Sequence, residues 1–329
     1  MKIVIVNKGY IPVLNYGGTE RVVWALGKEL AKLGHEVIFM VKAGSTCDFA
    51  KVLAIDESKS ILEQLPKNID IVHFNFTPQN IEQLTIPHVI TIHGNSNFQE
   101  KLSKNAIFLS KNHAERHNST SFVYNGLDWD EYTPPTFKKT YNHFHFLGNA
   151  AWRVKNVQGA IDIVTKIPSA KLHVLGGTRL NLKMGFRLTL SPKVRFHGMV
   201  GGQTKFDLLN KSSGLIFPVL WHEPFGLAVI ESLFYGSPVF STPYGSLPEL
   251  INNEFGFLSN NKVELVQAIK NIESYKPTKC HEYAKEVFNS KNMALAYLKK
   301  YEEVLNGREL SSTTPYLLRE KQAKFLHWN

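Results

Sequence analysis

The sequence predicts an α/β protein of two doubly wound parallel-sheet domains in tandem. Three observations lead there. Apolar runs of strand length alternate with helical periods along the chain, and strands alternating with helices imply parallel sheets covered on both faces. The alternation breaks at a Pro-rich stretch near residue 134 and then restarts. The length of 329 residues corresponds to about two domains.

Residues 2–7 form a buried-type strand, followed by a Gly/Pro loop through Gly18. A helix is expected from Thr19 to Leu33, because Val22, Val23, Leu26, Leu30 and Leu33 recur at helical spacing. Thr19 can cap it and Gly34 stops it. Residues 36–42, 69–74, 88–93, 106–110 and 121–124 have strand character. The N-terminal domain therefore spans 1–133, and the polar, Pro134-Pro135-containing segment 134–142 is a linker.

The second domain, 143–305, repeats the pattern. Strands are expected at 143–147, 171–175, 194–196, 214–218 and 238–241. Helices are expected at 157–166, 203–210, 225–235, 264–274 and 291–305. The tail 306–329 reads as an amphipathic helix, a frayed end, or a segment packed back on the N-terminal domain.

The net charge of +10 is uneven. Residues 1–140 hold 15 Lys and Arg against 14 Asp and Glu, whereas residues 141–329 hold 23 against 14. The second half thus favours anionic partners, though charge alone does not choose among them. No apolar run approaches the roughly 18 residues of a membrane helix, and Ile3–Val6 is too short for a signal-peptide core. Two cysteines make no disulfide framework, so a reducing cytoplasm is the expected compartment.

Four segments carry chemistry. Glu223-Pro-Phe-Gly-Leu-Ala-Val-Ile-Glu231 follows a strand and opens a helix. Backbone N–H groups of Gly226 and Leu227 at a helix start make an anion site. Glu223 and Glu231 lie about two turns, ~12 Å, apart along the axis, too far to act on one bond. They can hold two hydroxyl-bearing groups on either side of a phosphate. Gly17 and Gly18 precede the first helix and let backbone approach a ligand closely. Arg153 and Lys155 sit in the loop after the second domain's first strand, where open α/β sheets bind ligands, and can neutralise a diphosphate. His93 ends a parallel strand and would face a cleft.

In this order, these segments resemble the GT-B glycosyltransferases of family 4, the group 1 retaining enzymes. Gly34-His35-Glu36-Val37, Tyr124-Asn125-Gly126-Leu127-Asp128, Val194-Arg195-Phe196-His197-Gly198, Gly236-Ser237-Pro238-Val239 and Pro248-Glu249-Leu250-Ile251 extend the likeness over most of the chain. The resemblance implies GT-B architecture, with two Rossmann-like domains facing a central cleft. It implies a retaining transfer of sugar from a nucleoside-diphosphate donor, most often UDP-linked, to a glycan or lipid-linked acceptor, as in polysaccharide or lipopolysaccharide synthesis. Neither metal nor other cofactor is implied. By the same resemblance Glu223 binds the donor sugar and Glu231 the ribose. The amides of Gly226 and Leu227, with Gly17, Gly18 and Lys155, hold the diphosphate, and His93 contacts the transferred sugar. The family's Arg directly after the glycine at 148 is Asn149 here, and Arg153 is the candidate replacement. His222 is a further candidate donor contact, with packing at the site's edge as its alternative. Competing readings are a nucleotide-sugar epimerase or hydrolase of the same fold, and a catalytically silent nucleotide-sugar-binding protein.

Asp128-Trp129-Asp130 and His143-Phe144-His145 mimic metal motifs, but the first follows the Asn-Gly-Leu that resembles the family's end of the first domain and the second has no third ligand at metal-like spacing nearby, so no metal site is expected. No nucleic-acid-binding signature accompanies the positive charge. Between Asp162 and Asp207 there is no acidic residue, and apolar side chains alternate with polar ones from Leu180 to Leu190. This stretch reads as a solvated loop and helix in preference to a membrane-surface or lipid-diphosphate contact. The protein is expected in the cytoplasm or peripherally on the inner face of the membrane.

Overall fold

The computed structural model describes residues 1–13, 17–140, 142–182, 184–318 and 325–329. Of these, unit 1 comprises 1–13, 17–129 and 288–318, and unit 2 comprises 130–287 and 325–329.

Unit 1 begins with β1 (Lys2–Val6), α1 (Gly18–Lys32), β2 (Glu36–Lys42), β3 (Lys51–Ile55), β4 (Ile71–Phe74), β5 (His88–Thr91), β6 (Ala106–Ile107) and α2 (Lys111–Arg116). Its sheet is parallel, in the order β3-β2-β1-β4-β5-β6. β1 runs through the middle and Ile3, Val4, Ile5 and Val6 are wholly buried, as a strand covered on both faces must be. One face packs Val4, Val6, Ile38, Met40, Val72, Phe74 and Ile90 together. The other lies under α1, whose apolar stripe includes Val22, Val23, Leu26 and Leu30. Gly27 occurs mid-helix because the Phe39 ring needs its space: a Cβ there would lie 2.2 Å from Phe39 Cζ.

Unit 2 continues with β7 (His143–Leu147), α3 (Val157–Thr165), β8 (Lys171–Leu175), β9 (Leu180–Asn181), β10 (Arg187–Leu188), β11 (Val194–Phe196), α4 (Gly202–Lys211), β12 (Gly214–Phe217), α5 (Leu227–Phe234), β13 (Val239–Ser241), α6 (Leu247–Leu250), β14 (Gly256–Leu258), α7 (Lys262–Lys270) and α8 (Pro277–Val287). Its sheet is again parallel, ordered β11-β8-β7-β12-β13-β14. Leaving aside the small β9–β10 hairpin, this is the winding order of unit 1. In both, the order reverses beside the first strand, at the point where open α/β sheets bind ligands.

The last helix, α9 (Ser290–Leu305), departs from expectation. The sequence assigns it to the second domain through 305, but it belongs to unit 1 and packs on α1 and β5. Its Tyr297 and Tyr301 are buried and bond the β4–β5 polar pair: Tyr301 Oη lies 2.7 Å from His73 Nδ1 and Tyr297 Oη 2.9 Å from Thr91 Oγ1. The expected linker does not stand apart either. Thr136 N donates to Asn210 Oδ1 and Lys139 Nζ to the Asn210 and Tyr235 carbonyls, all within unit 2.

The tail divides. Residues 315–318 run along unit 1, with Leu102 N donating to Pro315 O and Tyr316 N to His117 O. Residues 325–329 lie on unit 2, where Leu326 N donates to Leu220 O and Asn329 N to Asn260 O. Residues 319–324 fall outside the described residues.

Candidate functional site

In unit 2 the reversal point lies between β7 and β12. The loop after β7 carries Lys155 on a 3-10 turn, Arg153–Lys155, and the loop after β12 carries Glu223. The two meet: Lys155 Nζ donates to Glu223 Oε2 at 2.7 Å. Trp221 Nε1 donates to the same oxygen at 2.9 Å. The Lys155 ammonium also lies over the Trp221 and Phe217 rings, at 4.7 and 5.2 Å from their centroids. Glu223 is 6% exposed, so its charge stands largely out of water and depends on these partners.

The helix behind Glu223 starts later than the sequence suggests. Residues 223–226 are not helical. Glu223 forms a parallel bridge with Gly245, and Ser246 N donates to Glu223 O. The approach is so close that a Cβ at Gly245 would lie 2.3 Å from Glu223 N. Gly226 then takes φ +97° as the N-cap, a conformation natural to glycine, and α5 begins at Leu227. Gly226 is therefore the cap, and the first-turn amides are those of Leu227 and Ala228. No side chain caps this end.

Glu231, on α5, is 1% exposed. Its Oε1 accepts from Lys205 Nζ and, at 2.8 Å, from Tyr132 Oη. A ribose at Glu231 would share the carboxylate with these two groups. His222 is half-buried, with its ring edge-on to Tyr244 at 6.2 Å.

Asn149, where the resemblance leads one to expect an Arg, carries no charge. Its Oδ1 accepts from Ala151 N at 3.0 Å, closing its own turn. Arg153 points elsewhere than Lys155: its guanidinium stacks on Phe325, 4.8 Å from the ring centroid.

Unit 1 carries the remaining candidates. Gly17 is the N-cap of α1, in place of Thr19. The Glu20 carboxylate folds beneath the loop, so that a Cβ on Gly17 would lie 2.8 Å from it and one on Gly9 closer still. Gly18 is the first helical residue. His93, two residues past β5, bonds through Nε2 to Asn75 Oδ1 at 2.8 Å, and Asn75 follows β4. Burial lowers His93 to about 4, which makes the imidazole neutral near pH 7. A pocket of about 250 Å³ opens here, lined by Asn75, Thr77, His93, Asn95, Asn97 and Glu100 among others.

Asp128 pairs with Lys28 at 2.7 Å, and His145 bonds Ser212 and Ser232 through its two nitrogens. Sequence reasoning missed Trp221, Lys205, Tyr132 and Asn75. Trp221 lay two residues from Glu223. The other three left no local signal, since they act across long sequence separations.

Residues 142–274 match the family model described as Glycosyl transferases group 1. Among curated relatives, an uncharacterized 42.6 kDa protein in the cps region of Klebsiella pneumoniae is 30% identical over 29% of this chain and 24% of that protein. D-inositol 3-phosphate glycosyltransferase of Streptomyces griseus is 35% identical over 22% of this chain and 16% of that enzyme. The chain thus spans a quarter or less of the length of these two relatives. Among solved structures, AviGT4, a glycosyltransferase involved in avilamycin A biosynthesis, is 19% identical with a TM-score of 0.74, covering 93% of this chain and 98% of that one. Anabaena Alr3699/HepE, in complex with UDP and glucose, is 15% identical with a TM-score of 0.64, covering 92% and 99%. At these identities the likeness shows the fold, which is the two-domain GT-B fold.

Proposed function

Since residues 142–274 match the family model described as Glycosyl transferases group 1 and the chain has the GT-B fold, we propose that this protein is a retaining glycosyltransferase. It moves a sugar from a nucleoside-diphosphate donor, UDP-linked by preference, to a glycan or lipid-linked acceptor without a metal ion, in the cytoplasm or on the inner face of the membrane. The observation that carries this is the Lys155–Glu223 pair beside the N-terminus of α5, whose N-cap makes no side-chain hydrogen bond.

Breaking a sugar–phosphate bond leaves charge on the departing diphosphate and an oxocarbenium-like sugar. Lys155 and the Leu227 and Ala228 amides suit the departing anion, because preorganised donors need no reorganisation as charge develops. Both donors to Glu223 fall on Oε2, so Oε1 is the proposed acceptor for a hydroxyl of the donor sugar. Glu231 is the proposed ribose ligand, shared with Lys205 and Tyr132. His93 of unit 1 is proposed to contact substrate as a neutral imidazole.

A second reading, a silent nucleotide-sugar-binding protein, draws on Asn149, which is uncharged, and on Arg153, whose guanidinium stacks on Phe325. One experiment separates the two. Nucleoside diphosphates and their sugars are screened by thermal shift, with and without EDTA, and binders are assayed for release of diphosphate with acceptor glycans. Binding with acceptor-dependent release supports transfer. Binding with no release to any acceptor supports the silent reading, and release without acceptor supports a hydrolase.

A further inference from the structure

The stretch from Arg179 to Leu190 is neither loop nor helix but a β-hairpin, and it has two unlike faces. β9 and β10 pair antiparallel with Leu180 opposite Leu188 and Asn181 opposite Arg187. Leu182 and Phe186 flank that pairing, and Met184 (φ +56°) and Gly185 (φ +112°) lie between them. Leu180, Leu182, Met184, Phe186 and Leu188 are all exposed, Leu182 at 72% and Phe186 at 74%; Leu190, just beyond, is exposed at 80%. A contiguous apolar surface of this kind on a polar protein marks an interaction site.

The polar side is anchored to unit 2. Arg187 donates to Thr189 Oγ1 and Thr178 O, and its guanidinium lies 4.8 Å from the Phe196 ring centroid. Arg179 donates to the carbonyls of Thr189, Ser191 and Val194. These bonds fix the hairpin while leaving its apolar side chains outward. The tip rests on the loop that carries the candidate site, since a Cβ at Gly185 would lie 3.4 Å from Arg153 Cδ. Trp152, next to Arg153, is itself exposed.

The local sequence is of one sign: between Asp162 and Asp207 the chain has eight Lys and Arg and no acidic residue, although Lys205 among them is buried against Glu231. Arg195 and Lys171, on adjacent strands at the sheet edge where the hairpin is anchored, are exposed. An apolar ridge rimmed by cations complements the interface of an anionic bilayer, where side chains enter the acyl boundary and Lys or Arg meet headgroups.

We propose that the 180–188 hairpin docks unit 2 on an anionic membrane surface, with Leu182, Met184 and Phe186 entering the interface. This stands on the hairpin alone and does not depend on the transfer reaction. The docked hairpin would hold the Arg153–Lys155 loop at the bilayer.

The test is vesicle flotation of the full chain with phosphatidylcholine vesicles, with and without phosphatidylglycerol. Leu182→Asp/Phe186→Asp is the variant, since both side chains are solvent-exposed and the fold does not rely on them. An unchanged melting temperature confirms its integrity. Wild type is expected to float with the anionic vesicles, less so as salt rises, and the variant to lose about tenfold or more of that binding. No flotation of wild type, or equal flotation of the variant, overturns the proposal. A wild-type dimer that the variant abolishes, with no vesicle binding, also overturns it and assigns the face to a second copy.

Discussion

Units 1 and 2 wind six parallel strands in the same order, yet they equip the reversal point differently. Unit 2 places an ion pair there, Lys155 with Glu223, nearly out of water before any ligand arrives. Unit 1 places a neutral pair, His93 with Asn75, beside a pocket rich in amides. One scaffold thus supports two chemistries, and the loops after the strands decide which. A pre-paired cation suits a diphosphate that arrives charged and leaves more so. A pocket of amides and a neutral imidazole suits the hydroxyls of a sugar.

The largest expected effect breaks unit 2's half of this contrast. Lys155→Met or Glu223→Gln leaves the other charge, or a carboxyl, poorly matched in a nearly buried place, and breaking such a pair costs about 3 kcal/mol. Transfer should fall by about 10²–10³ in either. The double variant removes both charges and should recover part of the stability but none of the transfer. Calorimetry and turnover on the three proteins check this. Additive stability losses would mean that the pair is not a unit. By contrast, Asn75→Ala in unit 1 removes one hydrogen bond to His93 and should cost transfer about tenfold.

Acid should affect both units together. Burial lowers His73, in unit 1, and His145, in unit 2, each to about 3. Both are wholly buried and bonded to hydroxyls on both nitrogens. The folded state keeps them neutral where the unfolded chain binds a proton. Stability is therefore full above pH ~6.5 and falls as pH drops toward the folded values, by about 1.4 kcal/mol per pH unit for each histidine. Melting temperatures from pH 7 down to 5 should decline for both units. A decline confined to one would show that its counterpart is not held neutral.

Gly27→Ala tests the packing of unit 1 alone. The added methyl meets the Phe39 ring beneath α1, and overpacking of this kind costs about 1–3 kcal/mol. Only the unit 1 transition should shift in a calorimetric scan, with nucleotide binding in unit 2 unchanged.

How much of this could be read from the chain follows from where the determinants lie. The Glu223–Glu231 segment was legible because strand, proline, glycine and apolar helix are consecutive. The later start of α5 was not, because it depends on Gly245 pressing against Glu223 from 22 residues away. The doubly wound sheets were legible from alternating periods, although β3, β14 and α8 were too short or too polar to stand out. α9 was read as a helix but assigned to the wrong unit, since its tyrosines find His73 and Thr91 only across more than 200 residues. The 180–188 hairpin showed its period-2 pattern plainly. The stretch nevertheless reads as a solvated loop and helix, because an apolar face normally implies burial, and this one is exposed.

The smallest effect sharpens the reading of Glu231. Its Oε1 is shared by Lys205 and Tyr132, both inside unit 2. A ribose hydroxyl seeking that carboxylate competes with the Tyr132 hydroxyl, whose bond contributes about 1 kcal/mol. Tyr132→Phe keeps the ring packed against Phe206 and Phe234 and removes only the competing donor. If Glu231 is the ribose ligand, UDP should bind the variant a few-fold more tightly, about the factor that 1 kcal/mol sets. Titration calorimetry reads the change, and 2′,3′-dideoxy-UDP, which has no hydroxyls to offer, should show none. Equal affinity for UDP in both proteins would leave Glu231 as a buried anchor for Lys205, and would confine the nucleotide's polar contacts to Lys155 and the start of α5.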